Sequence, residues 1–278
     1  MILTNRDREL LSLLARMGLL TTRQLNRVVF KNIAITTVLR RLRVLEGSGY
    51  ISRVEGLKNN ENGWCLTLKG ADAIGFLFPK RRFNRSTLDH DVMLADLRLI
   101  LEDQGIAHSW IPEHEIRSKM ARSHGIRRME SQTVPDGIMG VEYEGLKHSV
   151  AIELELNYKN KDRYKKIFWS YRGKDRNLAV WYFVPSKKFG ESLSSLWAKH
   201  VGTNSRVWLL WSEVDDVLKN GSQARIHYFD HTNQIVDLFK PKPAHEAALG
   251  VSRLSDEKSE IEKEVSIENE KELPAKVS

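Results

Sequence analysis

The sequence predicts a chain of α+β or α/β class in two parts, and three observations lead to this prediction. Near the N-terminus, apolar residues recur at the spacing of amphipathic helices. Further along, alternating and continuously apolar runs interleave with helical patterns, as in a sheet covered on both faces. The basic excess belongs to residues 1–86, where 16 Lys and Arg against 6 Asp and Glu give a net charge of +10. A basic helical part followed by a sheet-forming part is therefore expected.

Composition limits the class of protein. The 278 residues, 41% of them hydrophobic, suffice for two domains with cores of their own. No apolar run approaches the roughly 18 residues of a membrane span, and the N-terminus has no secretory signal pattern. A single cysteine, Cys65, excludes an internal disulfide and a thiolate metal cluster. We expect a cytoplasmic protein with no membrane partner.

Three helices and a hairpin are predicted for residues 1–78. Apolar stripes predict helices over about 5–17, from 21 or 22 onward, and over about 35–46, with Thr4 as the first N-cap. The segments "GSGYISRVEG" and "GWCLTLKG" then predict two short strands joined by the polar "LKNNEN". This order is typical of a winged helix-turn-helix, whose third helix enters the DNA major groove.

Double-stranded DNA is the partner that this basic part predicts, because its charge attracts polyanions. The two predicted strands and the segment that joins them form the wing. The expected contacts lie on the outer face of the third helix and on this wing: Thr36, Thr37, Arg40, Arg41, Arg43, Arg53 and Lys58. A winged helix used for protein contacts alone is the alternative, and the net charge disfavours it. Trp64 beside the wing is interpreted as packing rather than as a stacking platform.

A basic linker and an acidic tail flank the second part. Residues 79–88 include "PKRRFNRS" and predict a basic linker or arm. Residues 89–240 form the predicted second domain, and residues 241–278 carry 6 Lys and Arg against 9 Asp and Glu. This last segment is free of aromatic residues and highly charged, so we expect it to be disordered.

The second domain is predicted to hold a mixed sheet. A helix in "LDHDVMLADLRLILEDQG" precedes a short strand in "HSWIPEHEI" and a polar, basic insertion. The strands "VPDGIMGVEYEG" and "HSVAIELELNY" are separated by "EGLK", which suits a hairpin. A helix in "KNKDRYKKIFWSYRG" and the buried strands "NLAVWYFVPS" and "SRVWLLWS", with a helix between them, complete the sheet.

Three carboxylates are expected to converge on the hairpin. Asp136 stands at the start of one strand, and Glu153 and Glu155 are two residues apart on the next, so both point to one face. Hard oxygen ligands of this kind suit Mg²⁺ or Mn²⁺, which polarises a phosphodiester and activates water. The alternatives are a structural Pro-Asp-Gly turn and glutamates paired with Lys161 or Arg163. We expect no nucleotide cofactor, since no Gly-rich phosphate loop is present, and we expect neither haem nor zinc.

The series "VPDG…ELEL…K" resembles the core of the PD-(D/E)xK nuclease superfamily. The resemblance implies a restriction-endonuclease-like mixed sheet, with Asp136 as the first acid and Glu153 as the second. Glu155 stands where that superfamily usually has lysine, and some members supply the lysine from the following helix. The residues implied for metal binding and catalysis are Asp136, Glu153, Glu155, Lys159 and Lys161, with Lys165 as a further candidate lysine.

A narrower resemblance covers roughly residues 3–215. The segments "LTNRDRELLSLLARMGLLTTRQL", "DHDVMLADLRL", "PDG" and "ELELNYKNKDRYKKI", in this order, resemble the replication-relaxation family. This implies DNA processing on a plasmid or integrative element, in replication or mobilisation, with replication or transfer proteins as candidate partners. The active form would be a Mg-dependent DNA endonuclease, a nickase. The alternative is a non-catalytic DNA-binding regulator or accessory factor with a degenerate nuclease fold.

Two further residues near the predicted site are assigned from their position. His90, between Asp89 and Asp91, is interpreted as a helix cap in preference to a site residue. Glu102, at the end of the same helix, is a candidate for the extra acid that some nucleases of this fold carry.

Overall fold

The structure, a computed structural model, describes residues 1–58, 61–76, 83–124, 133–172, 179–202, 205–228 and 231–241. The predicted basic linker lies partly outside these ranges, and the predicted acidic tail lies almost wholly outside them. Across the described ranges, no helix has both the length and the apolar character that a bilayer span requires.

The N-terminal part contains helices and a small antiparallel sheet. Its elements are α1 (Asn5–Met17), β1 (Leu19–Thr21), α2 (Thr22–Val28), α3 (Ile35–Gly47), β2 (Ile51–Val54), β3 (Gly63–Leu66) and α4 (Leu68–Asp72). The strands pair in the order β1–β3–β2. The predicted order of three helices followed by two paired strands is confirmed. Sequence analysis missed β1, because three buried residues between two helices do not show the period of a strand.

Side-chain caps determine where the first two helices begin. Thr4 accepts a hydrogen bond from the Asp7 amide, and the Asp7 carboxylate accepts one from the Thr4 amide at 2.7 Å. Thr21 and Gln24 form the same reciprocal pair at the start of α2. These capping boxes satisfy amides that have no partner within the helix. Gly18, with a φ of 82°, then ends α1.

The second part is built on a larger sheet with helices around it. Its elements are α5 (Leu88–Asp103), β4 (Ser109–Pro112), α6 (Glu113–His124), β5 (Gly137–Tyr143), β6 (Leu146–Leu154), α7 (Lys161–Arg172), β7 (Ala179–Val184), α8 (Lys187–His200), β8 (Trp208–Glu213), α9 (Val214–Asn220), a 3-10 turn (Gly221–Gln223), β9 (Arg225–Tyr228), β10 (His231–Gln234) and α10 (Ile235–Leu238). In the described residues, seven strands pair in the order β10–β9–β8–β7–β6–β5–β4. The neighbours β6, β7 and β8 are parallel, and the other pairs are antiparallel. The predicted mixed sheet is confirmed.

The order that the resemblance implies is present, with α6 inserted between β4 and β5: α5, then the antiparallel strands β4, β5 and β6, then α7 and β7. Glu144 and Gly145 join β5 to β6 with φ values of 51° and 77°, as a two-residue hairpin turn requires. The predicted hairpin at this position is therefore confirmed.

The segment after β4 differs from its prediction. The strand ends at Pro112, and α6 covers residues that were assigned to the strand and to a polar insertion. This polar segment lacks an apolar stripe that would predict a helix. The helix carries ion pairs between residues four apart, Glu113 with Arg117 at 2.6 Å and Glu115 with Lys119 at 3.3 Å. After β8, helix α9 precedes the paired strands β9 and β10, and α10 follows them.

Helix α5 takes part in two hydrophobic cores. Leu97 and Leu101 pack with the residues of one face of the large sheet. Ala95 and Leu99 pack with α1, α2 and α3 in the N-terminal core. The other face of the large sheet is covered by α7 and α8. The division of the chain at residues 79–88 remains a prediction, and α5 joins the parts on either side of it.

Candidate acidic site and nucleic-acid interface

The acidic site lies where β5 begins and β6 ends. Gly137 is opposite Ile152 in the β5–β6 register, so Asp136 lies beside Glu153. The Asp136 carboxylate accepts a hydrogen bond from the Leu154 amide at 2.7 Å. A Cβ on Gly137 would lie 2.8 Å from Nε1 of Trp110, so the strand needs glycine there for close packing. The Pro-Asp-Gly segment thus starts a strand, as predicted, and is not a simple turn.

Glu153 is buried, with 8% of its surface exposed. Its Oε1 accepts a hydrogen bond of 2.5 Å from the Tyr171 hydroxyl on α7. Burial, together with the negative charge of Asp136, raises the pKa of Glu153 to about 8, against the opposing effects of Tyr171 and Lys159. Sequence analysis missed Tyr171 as a partner of the site, because it reads as part of the apolar face of α7.

Glu155 is paired with a lysine supplied from beyond the strand. Its amide donates to the Phe183 carbonyl at 2.9 Å, and its carboxylate forms an ion pair with Lys159 Nζ. Burial raises the pKa of Glu155, and Lys159 opposes this effect. Of the three candidate lysines, Lys159 is at the site. Lys161 is exposed at the first residue of α7, and Lys165 lies over the ring of Trp169 at 5.6 Å.

His90 belongs to the acidic site, which corrects its assignment as a helix cap. Its Nε2 lies 3.3 Å from Oδ2 of Asp136 and 3.1 Å from the Leu154 carbonyl. Burial lowers the pKa of His90, but the nearby carboxylates of Asp136 and Asp91 outweigh this effect and raise it to about 10. The ring lies against the Asp136 carboxylate and restrains it. It lies on α5, distant in sequence from the strands, and its spacing gave no signal of this contact.

Glu102 does not join the site, which corrects the second of these assignments. Its carboxylate forms ion pairs of 2.7 Å with both Arg98 and Arg16. Arg98 also donates to the Arg16 carbonyl at 3.0 Å. This network connects α5 to α1.

The donor set fits a divalent cation in its chemistry. In the described part of the chain, no group of three or more His, Cys, Asp or Glu side chains is arranged as a ready set of metal ligands. Asp136, Glu153 and Glu155 nevertheless bring hard carboxylate oxygens together, and a cation would favour the ionised form of Glu153 that burial disfavours. Binding of Mg²⁺ or Mn²⁺ therefore stays a prediction.

The outer face of α3 presents the polar side chains that were predicted for it. Thr36, Thr37, Arg40 and Arg43 are exposed. Val38, Leu42 and Leu45 form the buried side of the helix. Two apolar side chains of α3 are also exposed to solvent: Ile35 is 40% exposed and Val44 is 43% exposed.

The other three candidate DNA contacts have partners within the chain. Arg41 forms an ion pair with the buried Asp7. Arg53 donates to Glu46 at 2.9 Å, and Lys58 Nζ lies 3.4 Å from Asp89.

Trp64 packs in the N-terminal core, as predicted. It is 1% exposed, and its Nε1 donates to Thr22 Oγ1 at 2.9 Å.

A family model described as replication-relaxation matches residues 11–173. This chain belongs to the replication-relaxation family. A search of curated proteins found no match.

Two solved structures resemble the chain at low similarity. The restriction endonuclease FokI bound to DNA is 12% identical with a TM-score of 0.27, over 80% of this chain and 46% of that chain. The structure titled restriction endonuclease FokI is 14% identical with a TM-score of 0.23, over 80% and 45%. This chain spans about half the length of each. Because both TM-scores are low, the description of the fold rests on the strand order and register of the chain itself.

Proposed function

We propose that this member of the replication-relaxation family binds double-stranded DNA through α3 and the wing and hydrolyses phosphodiester bonds at the acidic site with Mg²⁺ or Mn²⁺. It would act on a plasmid or integrative element, in replication or mobilisation. One observation carries the proposal: the meander of β4, β5 and β6 brings Asp136, Glu153 and Glu155 together with Lys159. These are the residue types that metal-dependent phosphodiester hydrolysis needs.

Each side chain of the site has a defined role in this proposal. Asp136, Glu153 and Glu155 would hold the cation, and the bound cation would polarise the phosphodiester and activate water. His90 and the Leu154 amide restrain the Asp136 carboxylate. The Tyr171 hydroxyl restrains Glu153. Lys159 would stabilise negative charge that develops on the phosphate oxygens.

The DNA contact is proposed for the exposed polar face of α3. Arg40 and Arg43 would contact phosphates or base edges, with Thr36 and Thr37 beside them. Arg53 and Lys58 would add wing contacts, each at the expense of an exposed ion pair, which is weak. Arg41 is assigned to the fold rather than to DNA, because its guanidinium binds Asp7.

A non-catalytic DNA-binding regulator is the second candidate, and one observation favours it. Glu155 occupies the position where the nuclease superfamily usually has lysine, and its carboxylate is already neutralised by Lys159. A protein whose site carboxylates are bound by such internal partners would keep the nuclease-like fold but would not cleave DNA.

The test is cleavage of supercoiled plasmid by the purified protein with Mg²⁺, with Mn²⁺ and with a chelator. The matched variants are Asp136→Asn and Glu153→Gln, which keep the size of each side chain. A third variant, Arg40→Ala with Arg43→Ala, removes the α3 cations and leaves the acidic site intact.

We expect metal-dependent nicking that both acid variants lose while they keep their affinity for duplex DNA. The α3 variant is expected to lose duplex affinity with a shallower salt dependence, since fewer counterions are released. Absence of nicking with either metal, with duplex binding intact, would reject the hydrolase and favour the regulator. Unchanged duplex binding by the α3 variant would reject α3 as the interface.

A further inference from the structure

Helix α7 carries a dense positive charge on its exposed side. Five of its 12 residues are Lys or Arg and one is Asp. The cations are all exposed, and so is the acid, Asp162: the five are Lys161, Arg163, Lys165, Lys166 and Arg172. Tyr164, Phe168 and Tyr171 form the apolar side of the helix and are buried against the sheet. The solvent side of α7 therefore attracts anions.

Three of these cations and the exposed Trp169 form a line, which we name the α7 stripe: Lys161, Lys165, Trp169 and Arg172. They are spaced by four, four and three residues, so their side chains lie along one side of the helix. The eleven steps from Lys161 to Arg172, each a rise of about 1.5 Å, make the stripe about 16 Å long. It is long enough to follow several units of an extended polymer.

An aromatic ring is exposed in the middle of this charge. Trp169 is 56% exposed, whereas Trp64, Trp181, Trp197 and Trp211 are all buried. The Lys165 ammonium lies 5.6 Å from the centroid of the Trp169 ring. This contact explains the position of the lysine but does not remove the ring from water. A large exposed aromatic side chain among cations is the combination that stacks on an unpaired base while the cations hold its phosphates.

The α7 stripe begins next to the acidic site. Lys159, which pairs with Glu155, precedes the first residue of α7 by two positions. Tyr171, on the buried face of the same helix, binds Glu153. The helix therefore contacts the candidate catalytic carboxylates with one side and presents the stripe to solvent with another.

We propose that the α7 stripe binds single-stranded DNA and leads it to the acidic site, which makes a single strand, or a locally opened duplex, the substrate of that site. This deepens the proposed function and rests on it for the cleavage step. A paired base is stacked between its neighbours and offers no free face to Trp169, so the stripe discriminates against closed duplex. The net positive charge of α7 favours a polyanion over an apolar protein surface.

The experiment measures binding of a fluorescent oligo-dT strand and of a labelled duplex of equal length by anisotropy, in a chelator so that nothing is cleaved. The variants are Trp169→Ala, Trp169→Phe and Lys165→Ala with Lys161→Ala. The matched control is Lys188→Ala with Lys199→Ala, two exposed cations of the neighbouring helix α8. The Arg40→Ala, Arg43→Ala variant tests the opposite case, in which duplex binding is lost and single-strand binding is kept.

We expect Trp169→Ala to weaken binding of the single strand about tenfold and to leave duplex binding unchanged. Trp169→Phe is expected to restore part of the loss, because phenylalanine keeps a stacking face. The α8 control is expected to bind as the wild type does, and the α3 variant to lose duplex binding alone. Unchanged single-strand binding by Trp169→Ala, or an equal loss for both probes, would overturn the proposal.

Failure of this inference differs from failure of the proposed function. Loss of nicking in a protein that still binds oligo-dT through Trp169 would reject the hydrolase and keep the single-strand surface. Nicking of plasmid by Trp169→Ala at the wild-type rate, with wild-type binding of oligo-dT, would keep the hydrolase and reject the surface.

Discussion

Arg41 fits the sequence pattern of a DNA-contacting cation, but its contacts give it a structural role. It lies on the flank of α3, where a cation is expected to contact DNA, yet its Nε donates to Oδ1 of Asp7 at 2.8 Å. Asp7 is 1% exposed and also closes the capping box with Thr4. A single carboxylate thus starts α1 and attaches α3 to it.

The Asp7→Asn variant is expected to lose about 2 kcal/mol of unfolding free energy at pH 7, because the buried pair and part of the cap are lost together. Burial raises the pKa of Asp7, but hydrogen bonds from Arg41 and Thr4 outweigh it, and the pKa of Asp7 is lowered. The stabilisation is therefore present above the ordinary pKa of an aspartate and is lost as the pH falls through the lowered value.

Urea unfolding of wild type and variant at pH 7 and in acid measures this difference, which we expect to shrink toward zero in acid. The exposed Asp72→Asn change is the matched control, with an expected effect within about 0.5 kcal/mol. A difference that persists unchanged in acid would contradict the role of the Asp7 charge.

Lys159 is the lysine that the structure favours for the acidic site. Lys159→Ala is expected to reduce the nicking rate on the order of 10²-fold, as removal of one charge-stabilising donor does. Lys161→Ala, two residues further along and exposed, is expected to keep nicking within about twofold at saturating DNA. Rates at saturating plasmid separate this effect from binding, and equal losses in the two variants would contradict the assignment.

At the scale of the element, α8 depends on a glycine for its distance from the sheet. A Cβ on Gly190 would lie 2.2 Å from the ring of Trp211 on β8. Phe189 and Leu193 flank it and pack in the same core. The helix therefore approaches the sheet more closely than any side chain at this position would allow.

Gly190→Ala is expected to destabilise the protein by about 1–3 kcal/mol, because the ring or the helix must move. Gly47→Ala, in α3, is the matched control: no atom lies within 4 Å of the added Cβ. That change is expected to be neutral or to stabilise by up to about 1 kcal/mol. Thermal unfolding compares the two variants, and a Gly190→Ala protein as stable as the Gly47→Ala protein would refute the close approach.

The elements with strong periodicity could be predicted from the sequence. The limits of α1 follow from Thr4 and Gly18, and the β5–β6 hairpin follows from alternation on both sides of Glu144 and Gly145. Helix α6 could not be predicted, since its ion pairs replace an apolar stripe.

The candidate site was predictable only in part. Asp136, Glu153 and Glu155 follow from strand geometry, whereas His90 and Tyr171 reach them from α5 and α7 through tertiary packing. No spacing in the chain records such contacts. The choice of Lys159 among the lysines also required the path of the chain between β6 and α7.

At the scale of the whole molecule, the large sheet separates two kinds of surface. The exposed face of α3 is presented by the N-terminal part, and the α7 stripe by the helical layer on the far side of the sheet from the α5 layer. Under the two proposals, duplex DNA and single-stranded DNA would thus bind to different surfaces of one chain.

Helix α5 determines how far these parts can be separated. Its residues Ala95 and Leu99 complete the N-terminal core, while Leu97 and Leu101 complete the core of the sheet. A fragment that ended at the linker would lack the α5 residues that complete the N-terminal core. A fragment extended through α5 would instead expose Leu97 and Leu101, which belong to the core of the sheet. Exchange of the N-terminal part between relatives therefore has to carry α5 and its partners on the sheet. With α3 as the proposed DNA contact, such a chain is expected to change its target by substitutions on α3 rather than by exchange of domains.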